Sequence, residues 1–198
     1  GCDDKGLISG FVFDGIFNTG AYASWGPTVA NRVPIHACGP YKTDHYRATS
    51  VAVHTNAPPA GAFRGFGVPQ SAIAQECAYD LLADEIGMDR LAFRRRNALK
   101  NGMPTVTGQV FKNGVGIDDC FAALEQPWKN ALLKAADFNK EAIAHGSPWR
   151  RGVGIASCWY GCGNTSLPNP STMRMGITQG GEIVLHQGAM DIGQGSNT

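Results

Sequence analysis

Two glycine-bracketed segments carry the residue types best suited to chemistry in this 198-residue chain. The first is Thr55-Asn-Ala-Pro-Pro-Ala-Gly-Ala-Phe-Arg-Gly-Phe-Gly-Val-Pro-Gln70. A strand pattern leads in, two prolines stiffen the approach, and Gly61, Gly65 and Gly67 bracket Phe63, Arg64 and Phe66 before a helix starts at Pro69. A glycine loop opening onto a helix N-terminus offers backbone N–H groups to an anion or a polar ligand edge. Arg64 adds a planar fork of donors suited to oxyanions and amide-like edges, and the phenylalanines add apolar walls or a stacking face. The same residues would also make a tight strand-to-helix turn whose aromatics fill a core. The second segment is Gly188-Ala-Met-Asp-Ile-Gly-Gln-Gly195, where Gly193 and Gly195 leave both sides of Gln194 bare. The Gln194 amide could then approach a flat polar ligand closely, or the segment could be a hairpin or bulge turn.

Other familiar chemistries lack their motifs. There is no Walker A sequence, no GxSxG elbow and no HExxH, and Gly114-Val-Gly116-Ile-Asp-Asp lacks the third glycine of a dinucleotide fingerprint. His36, His45, His54, His145 and His186 show no metal-ligand spacing. The six cysteines form no CxxC pair, so they read as free reduced thiols, which points to a cytosolic compartment. With 17 Lys+Arg against 16 Asp+Glu, the net charge of +1 leaves no basic footprint for nucleic acid. At 43% hydrophobic and 17% charged residues the chain has enough apolar material for a packed core. No 18-residue apolar run marks a membrane span.

The elements that must position the two segments give an α+β chain of mixed strands and helices. Alternation over 7–17 and 47–55 predicts strands, with a helix from Pro27 to about Cys38 between them. A helix from Pro69 to Ile86 would bury Ile73, Cys77 and Leu81 as a stripe and stop at Gly87. Asp89 is placed to cap a helix reaching Leu99, whose Arg94-Arg95-Arg96 run reads as a solvated face. Two further helices are expected, one capped by Asp118 or Asp119 and one over 131–144, followed by short strands at 153–158, 172–178 and 182–187. Gly146-Ser-Pro-Trp-Arg-Arg-Gly152 looks like a boundary, giving sub-domains 1–147 and 148–198. The absence of an initiator Met and the run of turn-formers at 191–198 suggest an excerpt of a longer polypeptide. Glycine, 26 of 198 residues, is nearly twice its average share of about 7%.

Taken together, Gly61-Ala-Phe-Arg-Gly-Phe-Gly-Val-Pro-Gln70, Asn97 with Thr107-Gly-Gln109, Trp159-Tyr-Gly-Cys-Gly-Asn-Thr165 and Asp191-Ile-Gly-Gln-Gly195 resemble, in order, the molybdenum-cofactor subunit of the xanthine dehydrogenase/aldehyde oxidase family. The resemblance covers essentially the whole chain and implies parts of two cofactor-binding sub-domains. By that likeness Phe63 and Arg64 would line the molybdenum centre and Phe66 would stack on an aromatic substrate. Gln194, reached between Gly193 and Gly195, would hydrogen-bond the pterin. Arg32 falls where xanthine-type members carry a substrate-orienting arginine, favouring a polar N-heteroaromatic substrate over an aldehyde; a helix-surface arginine is the plainer reading.

Further implications come from the same likeness. Gly65 stands where carbon monoxide dehydrogenases carry a copper-binding cysteine, which argues against CO oxidation. A second substrate-facing aromatic would fall near Gly163–Thr165, where there is no phenylalanine. The catalytic base, a glutamate, is expected beyond Thr198, and none of Glu76, Glu85, Glu125, Glu141 or Glu182 matches its motif. The cofactor would be molybdopterin, in its cytosine dinucleotide form, with molybdenum. Fe–S clusters and FAD would sit on other modules or subunits, which would be partners together with the rest of the molybdenum subunit. Isolated, the chain should be catalytically inert; a non-catalytic assembly module is the rival reading.

Overall fold

The computed structural model describes residues 1–160 and 170–196, which belong to two compact units, Gly1–Tyr160 and Gly161–Thr198. The first unit is built around strands β1 (Phe11–Gly20) and β2 (Tyr46–His54), paired in parallel from Phe11↔Tyr46 to Gly20↔His54 and joined through helix α1 (Gly26–His36). Parallel pairing requires such a crossover, because a tight turn can only return the chain antiparallel. Along β1, Phe11, Phe13 and Phe17 are half-buried while Val12 and Ile16 point outward, the period-two pattern of a sheet with one packed face. The strand starts later than its alternation suggests. Residues before it answer to a different partner: Asn97 Oδ1 accepts from Ile8 N at 2.9 Å, and its Nδ2 donates to Gly6 O at 2.7 Å and Phe93 O at 2.9 Å.

Helices α2 (Val68–Glu85), α3 (Arg90–Asn97) and α4 (Ile117–Ala144) complete this unit. Asp89 caps α3 as its type and place predict, accepting from Ala92 N at 2.9 Å. The face of α2 differs from expectation. Ile73 and Leu81 are each 70% exposed and Cys77 is exposed, whereas Ser71, Gln75, Glu76, Tyr79 and Ala83 face inward. The reason lies on α3, where Arg94 is fully buried rather than solvated. Its Nε meets Glu76 Oε2 at 2.6 Å, its Nη1 meets Asp80 Oδ1 at 2.8 Å, and its Nη2 donates to Glu76 O at 3.2 Å. A buried guanidinium demands acceptors on the facing helix, and these override the hydrophobic stripe in setting how α2 turns. Arg95 is half-exposed against Asp118 and Glu125, and Arg96 alone of the three is exposed.

The two helices expected after residue 117 are one, continuous through Pro127. Phe121 and Trp128 on either side of the proline are both buried in the core, and Trp128 Nε1 donates to Asp89 Oδ2 at 2.8 Å. Packing on both sides offsets the lost helix hydrogen bond. The core gathers Ile8, Tyr41, Tyr79, Ala83, Leu91, Phe93, Ala98, Phe121 and Trp128. Tyr79 centres its aromatic part, edge-on to Tyr41 at 5.0 Å and 5.9 Å from Phe93. Each such pair adds about 0.5–1.5 kcal/mol beyond area burial. Residues 153–158, expected as a strand, carry no ladder. They lie along this core through half-buried Val153 and Ile155, and Ser157 Oγ reaches Tyr41 Oη at 2.7 Å and Glu76 Oε1 at 3.2 Å.

In the second unit, β3 (Arg174–Ile177) and β4 (Ile183–His186) form an antiparallel hairpin, closed by Gly181 N to Thr178 O at 3.0 Å with Gly181 at φ 82°. The chain is thus α+β, with helices and strands of the kind the sequence predicts.

Candidate cofactor and substrate site

Because β1 and β2 run parallel, the loops that follow them leave from one edge of the sheet, the usual place for ligands in open sheets. Residues 21–25 and 55–67 meet there. Ala21 N donates to Ala57 O at 3.0 Å, Ala60 N to Thr19 O at 3.0 Å and Thr55 N to Gly20 O at 3.1 Å. Gly20, at φ 77°, is needed because a Cβ there would lie 2.3 Å from Pro58 O.

The turn into α2 is left-handed throughout. Gly65, Phe66 and Gly67 take φ values of 97°, 47° and 94°, three left-handed residues in succession. Phe66 N donates to Phe63 O at 2.8 Å and Val68 N to Gly65 O at 3.0 Å. Gly67 sits so close to α1 that a Cβ would fall 2.8 Å from Val29 O and 3.0 Å from Val33 Cγ2. Among the described residues the non-glycine positions with positive φ are Ser24 and Phe66, one in each of these two loops. A bulky residue held left-handed is strain that the surrounding contacts must maintain, and such strain gathers at ligand sites. The donors expected at the start of α2 are partly used by the loop itself: Val68 and Ser71 bond to Gly65 and Gly67, and Pro69 has no N–H.

This turn sorts the side chains. Phe63 is 74% exposed and Arg64 is exposed, while Phe66 is half-buried, with Trp25 edge-on to its ring at 6.1 Å. Nothing in the small-residue context of Trp25 marks it in the sequence; what marks it is its position just after a strand that pairs with β2. Arg32 lies on α1 in the turn next to Val29 and Val33, the residues that Gly67 touches. Its guanidinium carbon is 5.5 Å from the Tyr160 ring centroid. Tyr160 also stacks on His36, centroids 5.5 Å apart at 5°, and Trp159 meets His36 edge-on at 5.3 Å. His36 is buried, and burial first, then Arg32, depresses its pKa below the ordinary 6.5, against a raising hydrogen bond to Arg32 O. Gly163–Thr165, where a second substrate-facing aromatic is expected and no phenylalanine stands, lies outside the described residues.

In the second unit, Gly193 and Gly195 are left-handed at φ 101° and 83° around Gln194. The Gln194 amide folds onto its own loop: Oε1 accepts from Ile192 N at 2.6 Å, and Nε2 donates to Met190 O at 2.6 Å and Ser196 Oγ at 3.1 Å. The loop therefore holds the amide between bare glycines, and a ligand edge would have to exchange with these internal bonds. Glu76 cannot serve as a base, because its carboxylate is held by Arg94 and accepts from Tyr41 Oη at 2.8 Å and Gln75 Nε2 at 3.1 Å. In the first unit, the exposed Arg64 guanidinium beside aromatic faces suits an anionic or flat heterocyclic ligand rather than a bare metal ion.

Comparison with known proteins bears on that chemistry. Two family profiles, each described as a molybdopterin cofactor-binding domain, match residues 1–98 and 123–198. The nicotinate dehydrogenase large molybdopterin subunit of Eubacterium barkeri is 41% identical over 59% of this chain and 28% of its own length. A putative xanthine dehydrogenase molybdenum-binding subunit of Escherichia coli is 32% identical over 100% of this chain and 26% of its own. The solved aldehyde oxidoreductase of Desulfovibrio gigas superposes with a TM-score of 0.63 at 29% identity, over 69% of this chain and 15% of that one. The chain thus spans about a quarter of the length of the curated relatives it matches. With both cofactor-binding profiles and relatives along its whole length, the chain belongs to the xanthine dehydrogenase/aldehyde oxidase family of molybdenum hydroxylases, as part of the molybdopterin-binding large subunit.

Proposed function

We propose that the intact protein hydroxylates a polar N-heteroaromatic substrate, purine- or nicotinate-like, taking the oxygen from water. The observation that carries this reading is the left-handed Gly65-Phe66-Gly67 turn, which fixes one aromatic ring and leaves Phe63 and Arg64 open at the sheet edge. When bound, the molybdenum cofactor supplies oxygen transfer to an electron-poor carbon and accepts the two electrons released. This chain's residues do the placing. Arg64 would hold the cofactor side through its planar donors, and Phe63 would close it from water. Gln194, between Gly193 and Gly195, would bond a pterin edge. Phe66 would stack on the substrate ring and Arg32 would orient its polar atoms. The base would be a glutamate later in the sequence than Thr198.

The cofactor in this reading is molybdopterin cytosine dinucleotide, with Fe–S clusters and FAD on partner modules of a cytoplasmic enzyme. Oxidation of an aldehyde is the second reading, supported by the likeness of the fold to an aldehyde oxidoreductase. The test is to produce the full-length protein with its cofactor machinery and assay heterocycle and aldehyde oxidation in wild type and Arg64→Ala. Heterocycle turnover that Arg64→Ala impairs is the expected result; turnover of aldehydes alone selects the second reading. A folded protein that turns over neither contradicts both, leaving an assembly module.

A further inference from the structure

Arg32 and His36 stand four residues apart on α1, so they share one face of that helix. The Tyr160 ring lies across this face, parallel to the His36 imidazole and 5.5 Å from the Arg32 guanidinium carbon. His36 is a firm base for it. The imidazole is buried, its Nδ1 is 3.3 Å from Arg32 O, and Trp159 abuts it edge-on. Tyr160 itself is 51% exposed, and the functional reading gives it no role. An aromatic face holds a guanidinium by its plane, and the N–H donors then bond within that plane. The same helix abuts the turn that holds Phe66, through Val29 and Val33 against Gly67.

We propose that Tyr160 is a positioning residue that sets the plane of the Arg32 guanidinium and so the preference for polar heteroaromatic over uncharged substrates. This rests on the functional reading above and deepens it. Tyr160→Phe keeps the ring; Tyr160→Leu removes it while keeping an apolar side chain of similar reach. In the full-length holoenzyme, Tyr160→Leu raises KM for nicotinate or hypoxanthine, whichever the wild type oxidises, by roughly two- to fivefold with little change in kcat. KM for benzaldehyde and molybdenum content stay near wild type, and Tyr160→Phe restores the heterocycle KM. Impaired heterocycle binding in Arg32→Ala with none in Tyr160→Leu overturns this inference alone. Equal losses on heterocycle, aldehyde and molybdenum content in Tyr160→Leu overturn it too, marking a structural role. A wild type without heterocycle turnover removes the functional reading and this inference with it.

Discussion

Gly67 tests whether the turn into α2 is a built feature or an incidental one. Among the left-handed glycines of this unit, Gly67 and Gly87 have very different surroundings. Gly67 has φ 94° and a Cβ position 2.8 Å from Val29 O; Gly87 has φ 65° and nothing within 4 Å of its Cβ position. Alanine at Gly87 meets only the left-handed penalty, about 1–2 kcal/mol. Alanine at Gly67 meets the same penalty plus an overlap with backbone of α1, which cannot rotate aside as a side chain would. Overpacking of that kind adds about 1–3 kcal/mol, for a total of about 2–5 kcal/mol. Hydrogen exchange in the full-length protein reads each locally, with about 1.4 kcal/mol per tenfold loss of protection. Protection over 66–75 in Gly67→Ala should fall about fivefold or more further than protection over 84–92 falls in Gly87→Ala. Equal losses at the two sites would refute the close approach of the turn to α1.

Other consequences follow from the same contacts. Arg94→Leu leaves Glu76 buried without its counter-charge and should cost about 3 kcal/mol, near the lower end for a broken buried pair because Tyr41, Gln75 and Ser157 still donate to it; exchange protection across α2 and α3 reads this, and Arg95→Leu at the surface should change it far less. Burial lowers the His36 pKa, so the unfolded chain takes up a proton near pH 6.5 that the folded chain refuses until lower pH. The stability His36 contributes is therefore full above about pH 6.5 and declines as pH falls below it; His36→Gln should flatten that part of the pH–stability curve measured by thermal unfolding. Phe66→Gly relieves left-handed strain while removing a ring on Trp25, so protection of the turn should stay within about 1 kcal/mol of wild type, whereas KM for a heteroaromatic substrate should rise.

Local signals in the sequence were sufficient where one element decides the outcome. Asp89 reads as a helix cap and is one; the glycines around Phe66 read as a turn into a helix, and Gly65 and Gly67 adopt the conformation that only glycine takes freely. Where the structure departs from the local pattern, the deciding partners are distant in sequence. The Ile73–Cys77–Leu81 stripe is a good helical pattern, yet α2 turns Glu76 and Gln75 inward because Arg94 is buried eighteen residues on from Glu76. Three consecutive arginines look solvated when nothing local says that the first of them meets two carboxylates. The two helices expected after residue 117 are one, because Phe121 and Trp128 on either side of Pro127 are held by core partners distant in sequence. Phe63, Arg64 and Phe66 stand out in the sequence and Arg32 enters through the family resemblance, whereas nothing local brings Trp25 to Phe66 or Tyr160 to His36 and Arg32. Those contacts exist only once parallel pairing brings two loops together and the chain after α4 returns to α1.

The most direct test is the molybdenum-to-protein ratio of the full-length protein, purified from a host that makes the cofactor, for wild type and Arg64→Ala. In the proposed function Arg64 holds the cofactor side. The ratio should accordingly approach one in wild type and fall severalfold in Arg64→Ala, with the fold intact by circular dichroism. A folded wild type without molybdenum, or an Arg64→Ala protein that retains the full ratio, would contradict that assignment.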